Sequence, residues 1–168
     1  MPEEEVIERA HKDAEEGKST STQAGEFIRE EMHHIREGKH GARSPQQAIA
    51  IGLSKARRAG VDLKAPKPRK ATPQVRKQAE RDLQKGKSSS QRPPSAVRSR
   101  ATLNALKQEG HSAASPRSLA GHAHRAAQKR GKQSLRNAAR RAVKTKGSPA
   151  LRRAGQKAAR TRARNRMA

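Results

Sequence analysis

Apolar side chains in the first 60 residues recur every three or four positions, the spacing of helices buried on one face. Ala24, Phe27, Ile28, Met32 and Ile35 share a face over roughly 22–37. At 100° per residue, Ala48, Ile49, Gly52, Leu53, Ala56 and Ala59 fall on one arc of about 140°. A thinner stripe, Val6, Ala10 and Ala14, predicts a helix over 2–16, opened by Pro2 and the acids Glu3, Glu4 and Glu5 and stopped by Gly17. The Ser19–Thr22 run caps the second helix and Gly38 ends it; Ser44 and Pro45 open the third and Gly60 ends it. A short loop, Gly38 to Arg43, turns the chain so that the second and third helices pair as an antiparallel hairpin. Gly52 sits near the middle of its stripe, where a missing side chain lets the partner backbone come close. With few large apolar residues the hairpin should be marginal alone, helped by the first helix or by self-association through residues 20–60.

From Val61 the pattern thins. Residues 61–71 hold the basic, proline-stiffened run Lys64-Ala65-Pro66-Lys67-Pro68-Arg69-Lys70, which reads as a linker. Beyond it the same punctuation recurs with little core: Thr72-Pro73 to Gly86, Pro94-Ser95 to Gly110, Ser115-Pro116 to Gly131, Ser134 to Gly147, and a last run from Ser148-Pro149. Ala, Arg, Lys and Gln favour helix, but isolated helices of this length are marginal, and like charges such as Arg136–Arg140 and Arg153–Lys157 weaken them. The expected fold is all-α. An acidic N-terminal helix (1–18) and a helical hairpin core (19–60) precede the linker (61–71). A basic arm (72–168) follows, largely disordered or conditionally helical, gaining helix as phosphates screen its charge.

Composition sharpens this. Of 168 residues 30% are hydrophobic, Phe27 is the sole aromatic, and the net charge is +25, so a large core is excluded. No cysteine is present, which removes disulfides and thiolate metal sites. No apolar run reaches even ten residues and the start is acidic, so neither a signal peptide nor a membrane span is expected. Charge is unevenly placed: residues 1–40 hold 11 acids against 6 Lys or Arg, whereas residues 41–168 hold 4 against 34. Such polarity belongs to a polyanion binder.

Catalytic chemistry has little to stand on. Gly17-Lys18-Ser19-Thr20 lacks the glycine that a phosphate loop needs five residues earlier, where Lys12 stands, and reads as a cap. His33, His34 and His40 lie within eight residues, and His122 and His124 form a second pair. Adjacent or alternate positions on a helix diverge by about 100–200°, so these histidines are expected to be solvated or to face phosphates, with no metal bound. Glu30 and Glu31 read as a solvated helix face. No enzyme and no cofactor are expected.

The string Gly-Glu-Phe-Ile-Arg-Glu-Glu-Met from Gly25, with residues 38–60, resembles a family of small basic bacterial proteins classed as a domain of unknown function. The resemblance spans about 36 residues; it implies a bacterial source and brings no activity or functional residues. The tail resembles the Lys/Ala/Pro-rich arms of linker histones and histone-like bacterial proteins, Ser115-Pro116-Arg117 coming nearest to their Ser-Pro-basic units.

The expected function is therefore non-sequence-specific binding of nucleic acid through phosphate contacts, DNA more than RNA, in a cytoplasmic, nucleoid-associated protein. Single-stranded RNA is normally held by stacking on aromatics, and a membrane-surface helix needs bulky apolar residues opposite its charge. The alternative is an RNA- or ribosome-associated protein, and after it a protein-interaction adaptor. The candidate contacts are Lys39, Arg43, Lys55, Arg57 and Arg58 in the head. In the arm they are Arg125, Lys129, Arg130, Arg136, Arg140, Arg141, Arg152, Arg153, Lys157, Arg160, Arg162 and Arg164.

Overall fold

A computed structural model of the chain describes residues 3–88 and 95–167. Among them the elements are α1 (Glu4–Glu15), α2 (Thr20–Arg36), α3 (Pro45–Arg58), α4 (Pro73–Lys87), α5 (Ala96–Lys107), α6 (Pro116–Lys146) and α7 (Ser148–Met167), with 3-10 turns at Pro68–Lys70 and Ser112–Ala114. No described residue is in a strand, and the all-α expectation holds. The Pro2 and Pro94 start signals lie outside the described residues.

Local signals mostly act where the sequence puts them. The Ser44 hydroxyl accepts from the Gln47 N–H at 3.3 Å with Pro45 at the first helical position. The hydroxyls of Thr72 and Ser115 likewise cap α4 and α6, accepting from Val75 and Ser118. Ser19 stands at the start of α2, but its hydroxyl bonds the side chains of Ser21 and Thr22 and no backbone N–H. Gly131 (φ 74°, ψ 160°) breaks α6 where a stop was read.

Residues 1–122 form one compact unit and 123–168 a second. In the first, α2 and α3 pack as the antiparallel hairpin. Toward one end, Ala24 and Phe27 of α2 meet Ala56 and Leu53 of α3; toward the other, Met32 and Ile35 meet Ala48 and Ile49. The two backbones touch at Gly52, where an added Cβ would lie 2.8 Å from the Ile28 Cα. That is the close approach expected of this glycine.

The core is larger than the hairpin. Val6 and Ala10 of α1 close its first end with Val61, and Ala113, Ala114 and Leu119 close the other. Salt bridges reinforce the layers: Arg9 reaches Glu26 across α1 and α2, and Arg58 reaches Asp82 across α3 and α4. Asp82 is 1% exposed and also accepts from Ser54 and Gln78. The Gly41 and Ala42 N–H groups donate to the carbonyls of Leu106 and Gly110, tying the hairpin loop to the end of α5.

These contacts correct the expected organisation. The linker is partly core, since Val61 is buried and the Leu63 carbonyl accepts from Arg57. The arm is not a largely disordered tail: α4 to α7 are helices, and its first part folds onto the hairpin. Two features account for this order. Ala79 and Asp82 give α4 a docking face, and further along the alanine-rich composition is itself helix-forming. Gly86 is not a stop but lies inside α4, where a Cβ would collide with the Arg57 carbonyl oxygen.

In the second unit no described residue is buried. Leu135 and Val143 are exposed at 42% and 46%. Its helices rest on the propensity of Ala, Arg, Lys and Gln, and Thr145 Oγ1 and Thr161 Oγ1 fold back to donate to the Arg141 and Lys157 carbonyls.

Candidate nucleic-acid interface

The cations proposed from sequence divide into two groups. Those on or beside the hairpin have partners within the fold. Lys55, with a side chain 20% exposed, lies 2.8 Å from Glu31 Oε2 and 3.4 Å from Glu30 Oε2. Arg57 is buried and donates to the Leu63 carbonyl; burial pushes its guanidinium below its ordinary value, with the Asp82 charge opposing. Arg58 donates to Asp82 and Ser54. The structure thus places Lys55, Arg57 and Arg58 in the framework of the head, where a phosphate would have to displace a carboxylate or a carbonyl.

Lys39 and Arg43 lie on the hairpin loop and keep half or more of their side chains in solvent. A hydrogen bond to Glu37, with Glu3 beside it, holds the Lys39 ammonium above its ordinary value. Arg43 is 79% exposed and rests 3.3 Å from Glu109.

The remaining candidates are of another kind. Arg125, Lys129, Arg130, Arg136, Arg140 and Arg141 on α6, and Arg152, Arg153, Lys157, Arg160, Arg162 and Arg164 on α7, are all exposed. Residues 123–168 carry 16 Lys or Arg and no acid, so none has a carboxylate in its own segment. Among the described residues no salt bridge involves any of them. Helical spacing sorts them into stripes. Arg136, Arg140, Arg141 and Lys144 fall within about 140° on α6, and Arg153, Lys157, Arg160 and Arg164 within about 60° on α7. Arg162 points to the other side of α7, its Nε donating to the Ala158 carbonyl.

The break at Gly131 adds a local site. Arg130, Gln133, Ser134, Asn137, Arg140 and Arg141 line an open cleft of about 650 Å³ beside it. Three guanidinium groups converging on one cleft suit a phosphate.

Two sequence readings fail in the head. Glu30 and Glu31 are no solvated face, being 5% and 0% exposed. The histidines do not all diverge. His33 is solvated and pairs with Glu37, but His34 and His40, 9% and 8% exposed, come together with Glu31. His40 lies past the helix end, so helical angles did not apply to it. The turn at Gly38 (φ 75°) brings it back along α2. The one legible signal was the Glu31-x-x-His34 spacing, which places both side chains on one face.

Phe27, the only aromatic residue, is 0% exposed, so no Phe, Tyr or Trp face is open to a base. Among the described residues no helix is long and apolar enough to cross a membrane. No family model, curated protein or solved structure matches the chain.

Proposed function

We propose that residues 123–168 bind the phosphate backbone of duplex DNA without reading its sequence, giving the chain a nucleoid-associated, histone-like role. The observation that carries this is the run of 16 cations, with no acid among them, on two helices whose described side chains are not buried. Phosphate contacts need only Lys and Arg and derive their free energy from counterion release. Base reading needs a cluster of Asn, Gln and Arg at one end of a helix entering a groove, and α7 offers a stripe of Arg and Lys about 17 Å long. The burial of Phe27 weighs against an RNA- or ribosome-binding alternative that stacks single-stranded bases.

The test is binding of the full chain to several unrelated duplexes across a salt series. If ten phosphates are contacted, log K falls by about 9 per decade of salt, equally for every duplex. A slope near zero, or strong discrimination between random duplexes, contradicts the reading.

A further inference from the structure

We propose that Glu31, His34 and His40 form a binding site for one divalent transition-metal ion of the zinc class, a structural site independent of the DNA surface. One ligand atom from each of the three residues can be chosen so that all lie within 4.8 Å of one another. A second carboxylate stands at the edge, with Glu3 Oε1 3.0 Å from His34 Nε2, able to complete the coordination shell or to orient the ring.

Hydrogen bonding fixes the His40 tautomer. Its Nδ1 lies 3.1 Å from the Gly41 carbonyl oxygen, which can only accept, so Nδ1 carries the hydrogen. Nε2 then faces Glu31 Oε1 at 3.3 Å. A bare nitrogen and a carboxylate oxygen repel, so a positive species belongs between them: a proton or a metal ion. The backbone-held Nδ1–H is the arrangement metal-ligating histidines use, and 3.3 Å matches the edge of a tetrahedron with bonds of about 2.0–2.1 Å.

Glu31 points the same way. Its side chain is 1% exposed, yet neither oxygen accepts a hydrogen bond. A buried carboxylate in that state is costly unless a charge meets it. Lys55 Nζ, 2.8 Å from Oε2, neutralises one side as an ion pair and leaves Oε1 to the histidines. Glu3, Glu30 and Glu31 stand against Lys39 and Lys55, which with neutral imidazoles leaves one negative charge over, so a dication meets no net repulsion. Two imidazoles with a carboxylate suit Zn²⁺ and its neighbours better than Mg²⁺ or Ca²⁺. Bound there, the ion would fasten the 38–43 loop to α2.

The experiment uses the full chain, stripped with a chelator and titrated with Co²⁺ and then Zn²⁺. We expect one equivalent bound with a Kd below about 10 μM, a tetrahedral Co²⁺ visible spectrum, and its bleaching by Zn²⁺. A variant with His11, His33, His111, His122 and His124 all changed to Gln should bind the same equivalent. His34→Gln and His40→Gln should each weaken binding by more than about 100-fold. Lys55→Gln should tighten it, because the competing ammonium is gone. The proposal is overturned if the wild-type chain binds no such equivalent. It is equally overturned if the five-histidine variant loses the equivalent, or if His34→Gln and His40→Gln chains that keep their helix content bind like wild type. Should either variant lose its fold, the five-histidine and Lys55→Gln chains decide alone.

Discussion

Residues 1–122 hold 24 Lys or Arg and 15 acids, whereas residues 123–168 hold 16 Lys or Arg and none. Both regions are helical and both are basic, yet the charges do different work. In the first unit acids and bases lie between layers: Arg9 with Glu26, Lys55 with Glu30 and Glu31, Arg58 with Asp82. In the second the cations line helices that bury nothing described. A count of cations therefore does not find a binding surface. What sets the second unit apart is that its own segment holds no counter-charge, the feature on which the proposed polyanion binding rests.

The sharpest way to break this division is to damage the first unit and watch the second. Gly52→Leu puts a side chain where even a Cβ lies 2.8 Å from the Ile28 Cα, so the hairpin must spread. A loss of about 3 kcal/mol in denaturant unfolding is expected, with duplex affinity changed by less than about threefold. A matching fall in affinity would show that the arm depends on the head. Asp82→Asn should cost about 2 kcal/mol, since Asp82 is 1% exposed and accepts from Arg58, Ser54 and Gln78. Thermal unfolding followed by circular dichroism reads it, and an unchanged melt would remove α4 from the core. The smallest effect belongs to Ser115→Ala, which removes the acceptor 3.2 Å from the Ser118 N–H and should cost about 1 kcal/mol. Amide exchange at Ser118 and Leu119 is the readout, and unchanged protection would show that this cap is dispensable.

Elements were far more legible than their assembly. Hairpin periodicity, the caps at Ser44 and Thr72 and the close approach at Gly52 are local properties, and α2, α3 and α4 carry them. What α4 packs on was hidden, because its docking face is made of Ala79, Asp82 and Gly86, two small residues and an acid that form no apolar stripe. The Ser112–Ala114 turn escaped for the same reason: small side chains fill space without announcing it. On the candidate surface, exposure of the α6 and α7 cations followed from the missing acids. The engagement of Lys55 and Arg57 did not, since nothing in the sequence shows that Glu31 turns inward or that Leu63 returns to α3. The place of His40 was not legible either, because it lies past the end of α2, where helical angles do not hold.

Comparing two full-length variants in the salt dependence of duplex binding tests the central claim. One changes Arg136, Arg140, Arg141, Arg153, Lys157, Arg160 and Arg164 to Gln; the other changes Lys39 and Arg43. The arm variant's slope should shrink by about 0.9 for each phosphate contact removed, equally on every duplex, while the loop variant stays near wild type. An arm variant that keeps the wild-type slope would contradict it.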